Sequence, residues 1–452
     1  MTETPHARTN PDGSPKRVYI ETYGCQMNVA DTELMYGGLR KSGYDIAEKL
    51  DEADVVLLNT CAVREKAEER IYGRASQLLR FKYTNPDLIL GVTGCMAEHI
   101  KEKIFDRAPY VDLVVGPDAY RRLPELISQA GLGDPIIDVR LDKAETYEGM
   151  TPSRGEGVSG WISIQRGCDK FCTFCIVPYT RGRERGTAPR EILRQAHELA
   201  NMGYREVTLL GQTVNSYRYE DIDFADLLRS VAAVPGLDRV RYTSPYPIDF
   251  SSKLIDTLAE LDNVPNYLHL PVQSGDDDIL SHMRRGYTVQ QFRDIVSELR
   301  EKMPDLAIST DIIVGYPDET EEQYQRTLDL VSEIEFDFAF MFAYSEREGT
   351  LASKKIPDTI PADVKQRRLA ALIAMQEKIG LTRYQRRVDQ TVEVLVTGEA
   401  RKKDGNWIGK SEDFKTVVFT PPEDIAVGQL LKVKISHCTA HTLFGNVMGS
   451  AR

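Results

Sequence analysis

The sequence predicts a mixed α/β chain made of three successive units: a doubly wound parallel sheet, a partial (β/α)6 barrel and a small all-β barrel. Three observations carry this. Strand-like runs alternate with helical stretches through the first 133 residues, and the same alternation returns six times between residues 160 and 384. The last segment holds only short β-rich runs joined by Gly-containing turns. Regular alternation implies parallel strands with crossover helices, whereas short strands with Gly-rich connections imply a small all-β barrel. A chain of 452 residues is long enough for each unit to bury its own core.

Residues 1–15 (MTETPHARTNPDGSP) are polar, lack the apolar stretch of a secretion signal, and are expected to be disordered. Residues 16–133 repeat one pattern three times. RVYIETYGC ends at Cys25, DVVLLNTC at Cys61 and LILGVTGC at Cys95, and a helical stretch follows each. In doubly wound sheets the loops beyond the strands' carboxyl ends share one edge, where ligands bind. Three cysteines far apart in sequence can therefore converge there. The plainer alternative is three small buried residues at strand ends, since free Cys is often buried.

Residues 134–159 are polar with Gly and Pro and read as a linker. The barrel unit, 160–384, has strand candidates in WISIQR, REVTLLGQ, RVRYTS, NYLHLPVQ, LAISTDIIVGY and FDFAFMFAYS. Chemistry in such barrels sits at the strands' carboxyl ends. Immediately after the first strand comes QRGCDKFCTFC, with Cys168, Cys172 and Cys175 in a C-x3-C-x2-C array. Three thiolates on one short loop suit a [4Fe–4S] cube with one iron left open. A tetrahedral zinc site wants a fourth ligand, and the next histidine is His197.

Composition excludes other classes. The longest apolar runs are too short to span a bilayer. Seven cysteines in 452 residues do not make a disulfide scaffold and fit a reducing, cytoplasmic setting. A net charge of −12 argues against bulk attraction to polyanions, so nucleic acid must be met by local basic clusters. Arg181, Arg183 and Arg185 form one such cluster, and the ends of the helical stretch 365–387 form another (Lys365, Arg367 and Arg368; Arg386 and Arg387). In residues 385–450, Trp407, Phe414 and Phe419 are candidate stacking surfaces, with core packing as the alternative, and Cys438 reads as a buried strand residue. No Walker loop, HExxH or GxSxG occurs, so no catalytic side chain is assigned and the chemistry is left to cofactors.

The cysteine loop with Phe174 resembles the radical S-adenosylmethionine superfamily, and TYGCQMNVADTE, NTCAVRE and GCMAE resemble its methylthiotransferase family. The resemblance covers essentially the whole chain after its start and implies a TRAM domain at the C-terminus. It implies two [4Fe–4S] clusters, one on Cys168, Cys172 and Cys175, which cleaves S-adenosylmethionine to a 5′-deoxyadenosyl radical. The other, on Cys25, Cys61 and Cys95, carries the sulfur and must face the barrel mouth. Gly211, Gln212, Asn215, Gln273, Ser274 and Gly315, at other strand ends, are implied to line the S-adenosylmethionine pocket. The wording at Cys25 points to methylthiolation of N6-isopentenyladenosine next to the anticodon of tRNA. The implied partners are the anticodon stem-loop, an electron donor such as flavodoxin or ferredoxin, and a sulfur or cluster donor; a monomer is expected. Within the family the alternatives are threonylcarbamoyladenosine or a ribosomal protein as substrate. Outside it, the alternative is a metal-stabilised RNA-binding protein without catalysis. The family often carries a Gly-Arg-Thr-like run where this chain has Gly409-Lys410-Ser411.

Overall fold

The computed structural model describes residues 9–10, 12–62, 65–130, 133–401 and 405–451. The first unit comprises β1 (Arg17–Tyr23), α1 (Gln26–Lys41), β2 (Asp45–Ile46), β3 (Val55–Thr60), α2 (Glu65–Thr84), β4 (Ile89–Gly94), α3 (Cys95–Ile100), α4 (Lys103–Arg107), β5 (Leu113–Val115), α5 (Leu123–Ala130) and β6 (Ile136–Asp138). Its six strands pair in the order β2-β1-β3-β4-β5-β6, all in parallel. Every residue of β3 and β4 is buried, as central strands covered by helices on both faces must be.

Two expectations for this region are corrected. Of the lead-in expected to be disordered, residues 1–8 and 11 lie outside the described residues. The remainder is tied down: Thr9 bridges to Pro15, Asp12 accepts from the Ser14 N–H, and Asn10 reaches Asp54 at 3.1 Å. The segment expected to be a linker begins with β6, an edge strand of the sheet. Beyond it, Tyr147 and Met150 enter the core beside Leu34 and Tyr120, and the Ser153 N–H donates to the Glu33 carbonyl at 2.8 Å. Two apolar anchors in a polar stretch make it a strap across α1 rather than a free connection.

The barrel unit runs through β7 (Ser159–Ser163), β8 (Gln165–Arg166), α6 (Val177–Thr180), β9 (Arg185–Gly186), α7 (Pro189–Asn201), β10 (Glu206–Leu210), β11 (Arg218–Tyr219), β12 (Ile222–Asp223), α8 (Phe224–Ala232), β13 (Arg239–Tyr242) and α9 (Ser252–Glu260). It continues with β14 (Tyr267–His269), α10 (Asp277–His282), α11 (Val289–Lys302), β15 (Ala307–Val314), α12 (Glu321–Ile334), β16 (Phe338–Ala343), α13 (Leu351–Lys355) and α14 (Ala362–Gln385). Six strands form two parallel triplets, β7-β10-β13 and β14-β15-β16, so the barrel is partial and open. Helices α8, α11 and α12 each start in a capping box, Asp223/Asp226, Thr288/Gln291 and Thr320/Gln323, which fixes where each crossover turns back.

The C-terminal unit is a closed barrel of β17 (Thr391–Glu399), β18 (Trp407–Ser411), β19 (Thr416–Thr420), β20 (Leu430–Cys438) and β21 (Thr442–Ser450). It is docked at the foot of the larger barrel. Arg239 donates to the Lys410 carbonyl (2.7 Å), Arg241 to those of Ser411 and Glu412 (3.1 Å each), and Lys415 reaches Asp337 (3.0 Å). Phe419 belongs to this barrel's core and offers no stacking surface, whereas Phe414 is exposed. The 365–387 cations are also largely committed. Lys365 is buried against Asp358 and Arg368 against Glu319 and Glu321, and half-buried Arg387 pairs with Asp413, while exposed Arg367 and Arg386 pair with Glu321 and Glu335. Lys365, Arg368 and Arg387 hold the helix down and are not available to phosphate, which leaves only exposed Arg367 and Arg386 of the two basic helix ends at the surface.

Candidate functional site

Parallel register brings the first cysteine set together. Tyr23 pairs with Thr60 and Thr60 with Gly94. Cys61 and Cys95 directly follow two of these residues, and Cys25 follows Gly24. Neighbouring strands lie about 5 Å apart, so the three thiols share one edge of the sheet. The approach needs glycine: a Cβ at Gly24 would lie 2.3 Å from Asn28 Oδ1 and 3.0 Å from Cys61 Cβ, and one at Gly94, with φ +92°, would lie 2.5 Å from the Thr60 carbonyl. Two buried amides lock the edge. Asn59 donates to the Asn28 carbonyl (2.7 Å) and Thr32 Oγ1 (2.9 Å), and the Cys25 N–H donates to Asn28 Oδ1 (3.3 Å). The sequence reading missed both amides; an Asn ending the apolar run VVLL was the available signal.

The second set lies on the loop after β8. A Cβ at Gly167 would lie 2.0 Å from the Arg183 carbonyl, so the loop folds tightly back on the Arg-rich segment, closed by the β8–β9 pair. The Cys168 N–H donates to the Gly182 carbonyl at 3.1 Å and that of Cys175 to the Cys172 carbonyl at 3.0 Å. Burial, with Cys172 beside it, pushes the Cys168 thiol up to about 11, and burial with both neighbours pushes Cys175 up to about 12. Arg285, stacked over Tyr246 at 4.4 Å, donates to Cys172 Sγ at 3.3 Å.

The two sets face each other across the boundary between units. Arg181, six residues after Cys175, donates from Nε to Cys95 Sγ at 3.1 Å and from Nη2 to Asp31 at 2.7 Å. Asp31, fully buried, also faces Arg166 at 3.2 Å, and Arg185 forks onto buried Asp118. Ala62, Cys95 and Ile176 complete an apolar contact between the two loops. Arg181 and Arg185 are therefore interior ion-pair partners and not phosphate contacts; in sequence their carboxylates were invisible. Arg183 remains at the surface, paired with Asp169. One turn along α3 from Cys95, at the same boundary, His99 Nε2 meets the Glu348 carbonyl at 2.9 Å, and Arg347 pairs with Glu68.

A donor set of three sulfurs, with a guanidinium beside each set to offset thiolate charge, fits iron–sulfur ligation. Among the described residues no three Cys, His, Asp or Glu side chains meet at ligating distance; the thiols converge without closing on a common point. No disulfide joins any of the cysteines.

The residues expected around S-adenosylmethionine separate into two groups. Gln212 carries a buried Oε1 without a hydrogen-bond partner, beside tightly packed Gly211, and Gln273 holds φ +72° at the end of β14's loop. Asn215 instead clamps two strand-end loops, donating to the Tyr246 carbonyl (2.9 Å) and accepting from its N–H (2.6 Å). Ser274 is fully buried near Thr327, and Gly315 packs under the Lys365 stem with its N–H on Glu319 (2.6 Å). These three have structural work that sequence alone did not reveal.

Glu98 on α3 is buried with an unpartnered Oε2, and its carboxyl is pushed up to about 8, first by burial, with Asp118 and Asp138 adding repulsion against Lys101. The folded protein thus holds a proton that the unfolded chain releases near 4.5. This group's penalty is absent below 4.5, grows as pH rises to about 8 and is complete above it. Glu98→Gln should match the parent near about pH 4 and be more stable near about pH 9, by up to about 5 kcal/mol. Thermal unfolding across that range tests it; a pH-independent difference refutes the assignment.

Comparisons with known proteins agree with this architecture. Residues 17–116 match the family described as "Uncharacterized protein family UPF0004", 162–331 the radical SAM superfamily and 385–448 the TRAM domain. The chain is 46% identical over 434 residues to the tRNA-2-methylthio-N(6)-dimethylallyladenosine synthase of Chloroherpeton thalassium, covering 96% of each chain. It is 45% identical to that of Bacteroides thetaiotaomicron, covering 95% of this chain and 96% of the relative. In fold it is similar to the radical S-adenosylmethionine methyltransferase TsrM of Kitasatospora setae (TM-score 0.57, 14% identity, 75% of this chain and 74% of that one). It also resembles the cobalamin-dependent radical enzyme OxsB (TM-score 0.51, 13% identity, 80% and 56%). No helix among the described residues is long and apolar enough to cross a membrane. With identity near 45% over almost its full length, the chain belongs to the tRNA-2-methylthio-N(6)-dimethylallyladenosine synthase family of radical S-adenosylmethionine enzymes.

Proposed function

We propose that the protein uses the two facing cysteine sets for one reaction, the conversion of N6-isopentenyladenosine next to the anticodon of tRNA into its 2-methylthio derivative. It is a radical S-adenosylmethionine methylthiotransferase with an iron–sulfur cluster, and tRNA is its substrate. The observation that carries the finer reading is the buried contact of Arg181 with Cys95, which puts one sulfur edge against the loop of the other. We assign Cys168, Cys172 and Cys175 as ligands of the cluster that binds S-adenosylmethionine, and Cys25, Cys61 and Cys95 as ligands of a second [4Fe–4S] cluster. Bound together, they supply a radical at the adenosine and a sulfur to insert.

This chain's own residues position that chemistry. Gly24, Gly94 and Gly167 let the backbone close in, Asn28 and Asn59 fix the sheet edge, and Arg181 and Arg285 offset thiolate charge. Gln212 and Gln273, with Gly211, remain the best placed of the expected S-adenosylmethionine contacts; Asn215, Ser274 and Gly315 hold the strand-end loops through Tyr246, Thr327 and Glu319. The units are taken as 16–133 with β6 added, 160–384 and 385–450. A monomer in the cytoplasm, reduced by a flavodoxin or ferredoxin and resupplied by a sulfur or cluster donor, fits this reading.

Nucleoside mass spectrometry of tRNA from a strain lacking the gene tests it. The 2-methylthio nucleoside should disappear, N6-isopentenyladenosine should accumulate, and the intact gene should restore the product. Unchanged 2-methylthio-N6-isopentenyladenosine, with loss of methylthiolated threonylcarbamoyladenosine or ribosomal protein instead, would overturn the substrate assignment.

A further inference from the structure

The open side of the barrel exposes aromatic rings where a closed barrel would bury them. In the triplet β14-β15-β16, His269 pairs with Ser309 and Ser309 with Phe338, while Asp311 pairs with Phe340. Strand alternation therefore puts Tyr267, His269, Ser309, Asp311, Phe338 and Phe340 on one face. The opposite face, with Leu268, Ile308, Ile312 and Ala339, belongs to the buried core. On the first face Phe338 is 40% and Phe340 47% exposed, their rings edge to face at 4.8 Å. Phe340 meets His269 at 5.8 Å, and His269 Nδ1 lies 2.9 Å from Ser309 Oγ.

The row continues onto the C-terminal barrel. Tyr267 stacks on Phe414 at 5.1 Å and 26°, and Phe414 is itself 41% exposed. A cation lies over that end: Lys410 Nζ is 4.8 Å from the Phe414 ring centre, while the Arg241 guanidinium, 4.9 Å away, is buried and held by Glu206. Aromatic rings interleaved with His, Ser and Asp, and with a cation at one end, differ from the aliphatic lining that a hydrophobic peptide or lipid would select. Part-exposed rings beside hydrogen-bonding groups and the Lys410 ammonium match unpaired nucleobases, which stack on any aromatic face.

We propose that Phe338, Phe340 and His269, prolonged by Tyr267 and Phe414, form a stacking platform for unpaired loop nucleotides of the RNA substrate. This rests on the tRNA reading above. From Phe340 to the end of β16 at Ala343 is about 10 Å at strand rise, so a base stacked there leaves its neighbour within reach of the barrel mouth.

The test uses the full chain and a synthetic anticodon stem-loop with N6-isopentenyladenosine and a 2-aminopurine at a neighbouring loop position. Phe340→Leu and Phe338→Leu keep apolar bulk and remove the ring. Each should weaken binding about 10-fold or more and abolish the 2-aminopurine quenching that the parent shows. The slope of affinity against salt should not change, because no charge is removed. Phe340→Tyr should restore both signals, which a merely structural role does not require. Should either Leu variant fail to fold, the other together with Phe340→Tyr carries the comparison. Parent-like affinity and quenching in a folded Leu variant overturn the platform while leaving the tRNA reading intact. Failure of the parent itself to bind the stem-loop overturns both.

Discussion

Replacing Cys168, Cys172 and Cys175 with Ala should abolish 5′-deoxyadenosine formation and leave about half of roughly eight irons per chain. Replacing Cys25, Cys61 and Cys95 should leave the same half but spare 5′-deoxyadenosine while ending methylthiolation of tRNA. The structure gives the reason for two separable effects. The first set sits on one loop within the barrel, held by its own backbone bonds to Gly182 and Cys172. The second is assembled from three strand ends of a different sheet. The backbone bonds that hold each set do not run through the other's sulfurs, but cluster loss can loosen the unit that binds it, so circular dichroism must accompany the iron count. Methylthio-tRNA made by a well-folded Cys25/Cys61/Cys95 variant would falsify the assignment of the sulfur to that site. Zinc in place of iron, or complete iron loss in either triple variant, would sink the two-cluster picture.

The legible parts of this chain were those whose physics is local. The six barrel strands and the helices between them follow from apolar runs and turn residues, and the structure has them where the pattern put them. The strand-end position of Cys25, Cys61 and Cys95 was equally plain, because a repeated strand–helix unit has one carboxyl edge. Three-residue strands such as Leu113–Val115 and Ile136–Asp138 are too short to carry a period, and the second hid in a stretch that reads as a connection. The cationic clusters misled for a different reason. Arg181 and Asp31 are 150 residues apart, and Arg368 and Glu319 are 49 apart, so the sequence displays the charge without its partner. Glycine before Cys25, Cys95 and Cys168 was visible, but only packing shows what a Cβ there would strike. Likewise, Phe338 and Phe340 look like core residues of a strand until the barrel is seen to stop at six strands.

That long-range ion pair supports the last expectation, an asymmetry between its members. Asp31 is a single buried carboxylate facing two buried guanidiniums, Arg166 at 3.2 Å and Arg181 at 2.7 Å. Asp31→Asn leaves two uncompensated positive charges out of water, and breaking a buried pair in this way costs about 3–5 kcal/mol. Arg181→Met removes one cation but leaves Asp31 its partner Arg166, which stacks on Tyr147 at 4.3 Å. Its stability cost should therefore be clearly smaller. The double change Asp31→Asn with Arg181→Met should recover part of the loss, because one stranded cation is removed with the carboxylate. Urea unfolding, read by near-ultraviolet circular dichroism, gives the order, and proteolysis of the strap from Val139 to Val158 reports whether the two units have parted. Only Arg181→Met and the double variant lose the hydrogen bond to Cys95, so only these should shift the electron paramagnetic resonance signal of iron bound at Cys25, Cys61 and Cys95. Equal destabilisation by Asp31→Asn and Arg181→Met would show that Arg166 alone does not satisfy Asp31, a double variant with strictly additive loss would show that the charges are not coupled, and an unchanged spectrum in Arg181→Met would remove the guanidinium from the sulfur site.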